Sequence, residues 1–340
     1  MTEAAASIPD VLDLLDRVPR STLATLPTPL ERGPGLPGGA RLWVKRDDLT
    51  GLGVGGNKAR KLEFLCGEAL RAGARSLVTV GAGQSNHCRM TAAAGAVLGL
   101  EVHLVLSGDR PARPSGNQLL SQMFGAQMHY VGCPPNHWGE LEIAREQLTE
   151  ELAAAGAAPH SIPIGGSTAI GALGYLLAFV ELVEQCGGRG VAPAAVVHTS
   201  SSGGTHAGLV AGRALLRARG HDDLPAVLAM GVAKGVVAGV PDVRALAAEA
   251  LALIGCDAEV LDGDVEIDDR WMGPDYDVPT RAGAEAIRWA AVHGGWIMDR
   301  TYTGKGFAGL LGNAAGGRWG PGDEVVFIHT GGLPAVFAGG

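Results

Sequence analysis

A lysine that follows a run of glycines is the first candidate for chemistry in this sequence. The stretch Gly51 to Lys58 contains four glycines and ends in Asn57-Lys58, where a predicted helix begins. Glycines let a ligand approach the backbone closely, and the N-terminus of a helix favours negative charge. A lysine amine in such a place can bond covalently to an aldehyde. Taken alone, Lys58 is equally compatible with an ordinary solvated side chain.

A second polar loop, Thr199 to Thr205, has the composition of an anion-binding site. It places serines, glycines and a threonine between a predicted strand and a predicted helix. Backbone N–H groups and hydroxyls at a helix N-terminus suit one phosphate monoester. No arginine or magnesium-binding carboxylate accompanies the loop, so a nucleoside triphosphate is not indicated. One phosphate, a lysine on another loop and an uncharged polar lining together suggest pyridoxal phosphate, whose ring accepts electrons from a carbanion.

The glycine stretch Gly51 to Gly56 also matches the dinucleotide-binding pattern Gly-x-Gly-x-x-Gly. That interpretation requires an acidic residue at the end of the next strand, but the sequence there runs from Val80 to Gly83 without an acid. The phosphate loop of nucleoside triphosphatases fails as well, because Asn57 precedes Lys58 and no serine or threonine follows. A dinucleotide is therefore not expected.

Alternating strand and helix patterns must position these loops. Predicted strands run over 42–45, 76–80, 102–106, 127–131, 194–198, 226–232 and 325–329, and most are followed by a helical pattern. Such alternation indicates parallel βαβ units. We predict an α/β fold with two open, mostly parallel sheets flanked by helices. The simplest arrangement, which the pattern itself does not reveal, nests a small domain of residues 53–161 in a large one of residues 1–52 and 162–340. Residues 1 to about 40 would form an arm draped over a domain.

Four polar loops fall at the carboxyl ends of predicted strands. They are Gly51 to Lys58, Gly81 to His87, Thr199 to Thr205, and Thr330 to Gly332. Each could be a simple glycine turn that caps a helix. Ligands of open α/β sheets bind outside the carboxyl ends of the strands, so we expect the four loops to share one site.

Composition restricts the class of protein further. The chain has 340 residues, of which 46% are hydrophobic and 18% charged, and a net charge of -8 with scattered basic residues. Nucleic acid and anionic membranes are therefore unlikely partners by charge, and we see no apolar run of membrane-spanning length and no signal peptide. Five cysteines lie far apart without a Cys-x-x-Cys pair. This favours reduced, mostly buried thiols in a cytoplasmic protein, with no metal site.

Five groups of residues form a recognisable set of motifs: Trp43 to Asp48, Gly55 to Glu63, Gln84 to His87, Gly203 to Gly208, and His329 to Gly332. They closely resemble motifs of the D-cysteine desulfhydrase and 1-aminocyclopropane-1-carboxylate deaminase family. The resemblance extends over nearly the whole chain, and the motifs are specific in combination. It implies a pyridoxal-phosphate enzyme with the fold of the tryptophan synthase β subunit (fold type II), and a homodimer. L-cysteate sulfo-lyase belongs to the same group and is comparably similar.

The resemblance also implies a role for individual residues. Lys58 would bind the cofactor aldehyde, Asn86 the ring hydroxyl, and Thr330 would face the pyridine nitrogen. The phosphate would be held by Ser201, Ser202, Gly203, Gly204 and Thr205. The substrate would contact Gln84, Ser85, His87, Tyr276 and Tyr302, of which Ser85 and the two tyrosines, with Lys58, would be catalytic.

Three positions depart from the family pattern. Thr303 stands where the cyclopropane deaminases have a glutamate that protonates the ring nitrogen, which argues for the desulfhydrase branch. Ser201 replaces a usual glycine, and Cys88 replaces a small apolar residue. A thiol beside the substrate loop could be reactive, but a buried and inert one is the more common case.

The predicted activity is β-elimination from a small amino acid, with Lys58 taking the α proton and Tyr302 or Ser85 managing further protons. A threonine near the ring nitrogen favours expulsion of a good leaving group, such as thiol or sulfite. D-Cysteine is the first choice of substrate, L-cysteate the second and the cyclopropane amino acid the third. A synthase that replaces the β substituent, and a catalytically silent cofactor-binding protein, are the remaining alternatives.

Overall fold

The computed structural model describes residues 13–15 and 17–338, and the strands in these residues form two sheets. The strands are β1 (Leu30–Gly35), β2 (Arg41–Lys45), β3 (Ser76–Gly81), β4 (Glu101–Leu106), β5 (Gln127–Tyr130), β6 (Pro159–Ile162), β7 (Ala195–Ser200), β8 (Ala226–Gly231), β9 (Glu266–Asp268) and β10 (Glu324–Ile328). The helices are α1 (Lys58–Arg71), α2 (Asn86–Leu98), α3 (Gly116–Met123), α4 (Trp138–Ala154), α5 (Ala169–Gly187), α6 (Gly204–Ala218), α7 (Lys234–Val237), α8 (Val243–Leu253), α9 (Arg281–Gly294), α10 (Thr303–Ala315) and α11 (Leu333–Val336).

The first sheet has six strands in the order β1-β2-β10-β7-β8-β9, and the second has four in the order β5-β4-β3-β6. Only the pair β1 and β2 is antiparallel; the other described pairs are parallel. The predicted α/β class with two mostly parallel sheets is confirmed. All four strands of the second sheet come from the stretch between β2 and β7. The exact limits of an inserted domain at residues 53–161 stay a prediction.

Both faces of the six-stranded sheet are covered, which explains why its central strands are apolar throughout. On β7, Val196 packs into a core with helices α5, α6 and α8, whereas Ala195 and Val197 pack into a second core with α9 and α10. Successive side chains of a strand point to opposite faces, so a strand between two helical layers needs apolar residues at every position. The resulting rigid sheet positions the loops that follow its strands.

Helix α1, which begins at Lys58, lies between two cores. Leu62 and Leu65 pack with the second sheet, while Phe64 packs into the core under α5 and α6. Because the helix is enclosed, its charged residues Arg60 and Lys61 are buried as well, with at most 1% of their surface exposed. A buried charge requires compensation, so the partners of these two side chains become informative.

The N-terminal arm differs from its prediction. Residues Leu30–Gly35 are not merely draped over the fold but pair with β2 as an edge strand. Pro34 and its charged and glycine neighbours concealed the strand, yet proline is tolerated at a sheet edge. The predicted amphipathic segment Val11 to Val18 lies partly outside the described residues.

Helix α5 corrects the expectation that the chain lacks an apolar run of membrane-spanning length. It has 19 residues and a mean hydropathy of 1.5, so by length and composition it could cross a bilayer. In the structure, 67% of this stretch is buried against other parts of the protein. Its apolar character is therefore that of a central core helix.

Candidate active site

One cleft is lined by loops from both sheets. Strands β2, β10 and β7 are neighbours, and the loops after them contribute Lys58, Thr330 and the stretch Thr199 to Thr205. From the second sheet, the neighbours β3 and β6 contribute Ser85 to His87 and Ile164-Gly165. The four predicted loops thus meet at one place, at the carboxyl ends of parallel strands where such folds bind ligands.

Most of the candidate site residues line this cleft. They are Lys58, Ser85, Asn86, His87, Ser201, Ser202, Gly203, Thr205, Tyr276, Tyr302 and Thr330. Gly204 lies directly behind the loop, as the first residue of α6. Their proximity agrees with a shared site, while the role of each residue stays a prediction.

The glycine loop owes its path to backbone conformations that side chains disfavour. Gly55 has φ 79° and Gly56 φ 134°, and a Cβ on Gly55 would overlap the carbonyl oxygen of Asp48. Thr50 closes the loop: its Oγ1 donates to the carbonyl oxygen of Gly56 and accepts from the N–H of Gly56, both at 2.8 Å. The glycines therefore serve a tight turn that delivers Lys58 to the cleft.

The Lys58 amine loses its proton more easily than an ordinary lysine. Burial among protein atoms lowers the pKa of its amine to about 8, while the side chain remains partly accessible from the cleft. No described residue forms an ion pair or hydrogen bond with its Nζ. Roughly a tenth of the amine is thus unprotonated at pH 7, far more than for an ordinary lysine, and this neutral form is the one that a nucleophile or base requires.

Two hydroxyls of the loop from Thr199 to Thr205 are held as donors. Asn57 Nδ2 donates to Thr205 Oγ1 over 3.0 Å, and Ser167 Oγ donates to Ser202 Oγ over 2.9 Å. Each accepting hydroxyl keeps its own hydrogen for another acceptor, because it makes no further bond to a described residue. Two oriented hydroxyl donors at the N-terminus of α6 fit a phosphate group.

Lys61 is a cation behind this loop that sequence reasoning missed. Its Nζ donates to the carbonyl oxygen of Gly165 over 2.7 Å and to Ser167 Oγ over 3.4 Å. A Cβ on Gly204 would lie only 2.5 Å from this nitrogen. Burial lowers the pKa of the amine well below its usual value, and no carboxylate of the described residues pairs with it. The signal was present in the sequence as a second lysine one turn after Lys58.

Unpartnered polar atoms show that the cleft suits a polar ligand. His87 Nδ1, Thr199 Oγ1 and Ser200 Oγ are buried and lack a partner among the described residues, although all three residues line the cleft. Buried polar atoms are nearly always hydrogen-bonded in native proteins. A bound group with several oxygens and a ring, as pyridoxal phosphate has, would meet this need.

The tautomer of His87 follows from its neighbour. Thr79 Oγ1 donates its hydrogen to the carbonyl oxygen of Ile162 over 2.9 Å, and the same oxygen lies 2.9 Å from His87 Nε2. His87 must therefore donate from Nε2, which leaves Nδ1 as a bare acceptor. Burial lowers the pKa of the ring well below its usual value, so it stays neutral. Because His87 Nδ1 can only accept a hydrogen bond, it cannot bind a substrate carboxylate, which also accepts. It can bind a group that donates a hydrogen.

Tyr276 and Tyr302 share a hydrogen bond between their hydroxyls, and their rings meet edge to face at 5.6 Å. Burial raises the pKa of both phenols, so neither ionises near neutral pH. One hydrogen is spent in the pair, and the other remains for a ligand. Trp138, which sequence reasoning did not identify, packs edge-on against Tyr276 from α4 and also lines the cleft.

Asp299 anchors Tyr302. Its carboxylate accepts hydrogen bonds from the N–H groups of Thr301 and Tyr302 at 2.8 and 2.7 Å, and from the N–H and hydroxyl of Thr303 at 3.3 and 2.9 Å. Both oxygens thus have two donors each and no free lone pair. Asp299 lines the cleft, yet its hydrogen bonds commit it to the start of α10.

The Gln84 side chain is engaged in hydrogen bonds within the protein, and Cys88 is buried. The Gln84 amide accepts from the N–H of Asn117 over 2.9 Å and donates to the carbonyl oxygen of Ser115 over 3.1 Å, which holds the start of α3. Gln84 is not among the residues that line the cleft, so its contact with substrate stays a prediction. Cys88 is 2% exposed, and burial raises the pKa of its thiol to about 12. The predicted buried thiol is confirmed.

Known enzymes match this chain over nearly its whole length. A family model for pyridoxal-phosphate-dependent enzymes matches residues 21–331. A D-cysteine desulfhydrase of Salmonella typhi is 40% identical over 335 residues, which cover 95% of this chain and 97% of the relative. The D-cysteine desulfhydrase of Salmonella newport is 39% identical over the same shares.

Solved structures agree on the fold. A protein described as an ACC deaminase homologue has a TM-score of 0.84 and 36% identity, covering 97% of this chain and 96% of that one. A threonine deaminase from T.th. has a TM-score of 0.65 and 21% identity, covering 96% and 98%. The second likeness concerns the fold alone.

Proposed function

This chain belongs to the family of pyridoxal-phosphate-dependent enzymes, and from that premise we propose that it is a lyase that removes the sulfur substituent from the β carbon of D-cysteine, giving hydrogen sulfide, pyruvate and ammonia. The supporting observation is one cleft in which an amine of lowered pKa, Lys58, lies with a neutral hydroxyl pair, Tyr276 and Tyr302. The names of the most similar curated relatives point to the same substrate.

The cofactor's phosphate would be held by the loop before α6. Ser202 and Thr205 would donate their hydroxyl hydrogens, and the backbone N–H groups of the loop add further donors at a helix N-terminus. Lys61, behind the loop, would supply positive charge close to the phosphate, because the bound anion favours the protonated amine. When bound, pyridoxal phosphate supplies an electron-withdrawing ring that stabilises negative charge on the substrate's α carbon.

Lys58 would bind the aldehyde and then act as the base. When it is not bonded to the aldehyde, the Lys58 amine would be free to take the proton from the substrate's α carbon. A pKa of about 8 suits both roles near neutral pH, because the free amine is populated and its conjugate acid still holds the proton.

The tyrosine pair would protonate the departing sulfur. When the bond between the β carbon and sulfur breaks, the electron pair leaves with sulfur, which then needs a proton. Tyr276 and Tyr302 have only one hydrogen committed to their mutual bond, so the other can be donated. Asp299 fixes the backbone of Tyr302, and Trp138 supports the Tyr276 ring. The released 2-aminoacrylate hydrolyses to pyruvate and ammonia.

The surroundings of the ring nitrogen favour elimination over deamination of the cyclopropane amino acid. Thr330 would face the nitrogen with a hydroxyl, while Thr303 donates its hydroxyl hydrogen to Asp299. Asp299 has no lone pair left to hold a proton on that nitrogen. An unprotonated ring is a weaker electron sink and therefore suits substrates with a good leaving group, such as thiol.

We further propose that the enzyme works as a cytoplasmic homodimer. Support comes from the family resemblance and from cysteines that are free and mostly buried, as expected in a reducing compartment. Sedimentation of the purified protein tests the dimer: a mass near twice 34.7 kDa supports it, and a monomer at micromolar concentration contradicts it.

A substrate panel with one matched pair of lysine variants tests the function. D-Cysteine, L-cysteine, L-cysteate, D-serine and the cyclopropane amino acid are assayed for 2-oxo acid release. We expect D-cysteine to give pyruvate and sulfide in equal amounts without added thiol. Lys58→Ala should lose the visible absorbance of bound cofactor and all measurable turnover, whereas Lys234→Ala, at an exposed lysine, should retain both. A new amino acid formed without pyruvate would indicate a synthase instead.

A further inference from the structure

A buried arginine without an acid lies next to the cofactor side of the cleft. Arg89, on α2, has no exposed surface. Its guanidinium donates to the carbonyl oxygens of Gly53 and Gly55 and, through Nε, to Asn117 Oδ1 over 2.9 Å. Among residues 13–15 and 17–338, no carboxylate forms an ion pair with it. Burying an unpaired cation costs desolvation free energy, so Arg89 is expected to have a specific role.

Arg89 fixes the direction of the hydrogen bonds that lead from it to the cleft. An arginine has no acceptor, so the Asn117 atom that faces it must be the oxygen Oδ1. The amide nitrogen of Asn117 then points the other way and donates to Asn86 Oδ1 over 3.0 Å. Because the oxygen of the Asn86 amide is taken, its Nδ2 is the atom left for a ligand. Asn86 lines the cleft, and its Nδ2 has no partner among the described residues.

Asn117 cannot turn around to reverse this order. It is fully buried, its second amide hydrogen donates to the carbonyl oxygen of Gln84 over 2.8 Å, and its backbone N–H donates to Gln84 Oε1 over 2.9 Å. All polar atoms of its side chain therefore have partners that accept only one orientation. This also gives Gln84 a purpose: it holds the start of α3, and with it Asn117, in place.

We propose that Arg89 and Asn117 are positioning residues that orient the Asn86 amide, so that Asn86 Nδ2 donates a hydrogen bond to the ionised ring hydroxyl of pyridoxal phosphate. This inference rests on the proposed contact between Asn86 and the cofactor and adds the device that sets its direction. Aligned amides next to a buried cation polarise one another, which strengthens the last donor in the chain. The ligand's negative oxygen in turn offsets the charge of Arg89.

Asn117→Asp tests the proposal by replacing the amide NH2 group with a carboxylate oxygen. The new carboxylate can still accept from Arg89, but it presents an acceptor to Asn86. This favours turning Asn86 Nδ2 away from the cleft, against only the long contact of 3.5 Å from Arg89 Nη2 to Asn86 Oδ1. We expect the dissociation constant of pyridoxal phosphate from the apoprotein to rise about tenfold. The pH midpoint of the visible absorbance of the bound cofactor should rise by roughly one unit, because the ionised oxygen loses its donor. Unchanged values for both would overturn the proposal.

A double-mutant cycle separates orientation from a general effect of the added charge. If Asn117 acts through Asn86, then Asn117→Asp adds little in an Asn86→Ala background, whereas a general field effect persists there. Full additivity would therefore overturn the proposal. An Asn86→Ala variant with an unaltered absorbance titration would instead refute the underlying contact with the cofactor, so the two failures are distinguishable.

Asn117→Ser provides a second route if the aspartate variant does not fold. Serine removes the amide that points at Asn86 without adding charge, so Asn86 Oδ1 keeps only its longer contact of 3.5 Å from Arg89 Nη2 and the amide is oriented less firmly. We expect an increase in the dissociation constant that is smaller than in Asn86→Ala, and a midpoint between those of the wild type and Asn86→Ala. A midpoint equal to that of the wild type would contradict an orienting role for Asn117.

Discussion

Buried basic residues on the two sides of helix α1 differ in whether they form ion pairs. On the side away from the cleft, Lys45 and Arg60 pair with Asp47 and Glu181; we name these four residues the paired cluster. On the cleft side, Lys58, Lys61 and Arg89 have no ion pair among the described residues; we name them the cleft cations. Both groups are built on the same helix or its immediate neighbours.

The paired cluster is complete in itself. Arg60 makes two bonds of 2.9 Å to Asp47 and two of 2.9 Å to Glu181. Although burial raises the pKa of the Asp47 carboxyl, the adjacent charge of Arg60 lowers it overall, so the acid stays ionised. Tyr175 donates to the same carboxylate over 2.5 Å. The charges cancel locally, and the cluster acts as a support for the helix that carries Lys58.

The cleft cations, in contrast, have no carboxylate among the described residues to stabilise their charged forms until an anion arrives. Burial lowers the pKa of all three groups, which shows that each is less stable as a cation than in water. An anionic ligand with a phosphate and an ionised ring oxygen would compensate Lys61 and Arg89. Around helix α1, the difference indicates that buried charge serves structure where it is paired and is available to a ligand where it is not.

The largest expected effect comes from breaking the paired cluster. Arg60→Met leaves two buried carboxylates without their main partner, and we expect the free energy of unfolding to fall by about 3–5 kcal/mol. Urea titration of the apoprotein measures it. Arg281→Met is the matched control, since Arg281 is 93% exposed in its pair with Glu285 and its replacement should leave the unfolding free energy essentially unchanged. Equal losses in both variants would contradict the structural role of the cluster.

Removal of a cleft cation should act on the ligand rather than on the fold. Lys61→Met is expected to raise the dissociation constant of pyridoxal phosphate about tenfold or more, because a buried charge near the phosphate is lost. The unfolding free energy of the apoprotein should change by no more than about 1 kcal/mol, since an uncompensated buried amine disappears with its one good hydrogen bond. Pyridoxal, which lacks the phosphate, distinguishes the cause: its affinity should not change. If Lys61→Met lost as much stability as Arg60→Met, the cleft cations and the paired cluster would not differ in their structural role.

The two groups should also respond to pH at opposite ends of the scale. Lys58 has a pKa of about 8 in the folded protein and 10.5 as a free side chain, so between these values the unfolded chain holds a proton that the folded one does not. The unfolding free energy of the apoprotein therefore rises with pH through this window, and the rise should be smaller in Lys58→Met. Asp47 has a lowered pKa, so its stabilising contribution is present above 3.8 and is lost as the pH falls below it. Urea titrations at pH 8 and 10 decide the first point; identical slopes in both proteins would refute it.

The strands that carry the cleft loops could be predicted because their signals are local. Continuous apolar stretches such as 194–198 and 325–329 lie within two residues of β7 and β10, and the polar residues after them mark the site. The sequence pattern does not predict helix α10, which contains four glycines. A Cβ on Gly306 would overlap Thr199, and one on Gly312 would overlap the Trp271 ring, so these glycines permit close packing that sequence alone does not reveal.

Pairing of charges could not be predicted either, because it depends on contacts between distant parts of the chain. Arg60 and Lys61 are adjacent in sequence, yet one meets Asp47 and Glu181 and the other meets only Gly165 and Ser167. The resemblance to a known family named the residues that would touch the cofactor. It did not identify Asn117 or Arg89, which lie outside the five motifs and would orient one of those residues, Asn86.

The smallest expected effect tests whether the cleft holds an anion of its own. Cys88 follows His87 and lies near the tyrosine pair; if its thiol ionised, it would offset the cleft cations and weaken the contrast with the paired cluster. Burial raises its pKa to about 12, so we expect a neutral thiol and no such compensation. Cys88→Ala should keep kcat/KM and its pH profile within about twofold and cost roughly 1 kcal/mol of stability through lost packing. In the native protein, a thiol reagent should modify the half-buried Cys256 first and reach Cys88 only on unfolding, as mass spectrometry can follow. A pH profile displaced in Cys88→Ala would mean that a thiolate belongs to the site, and the cleft cations would then have a partner within the chain after all.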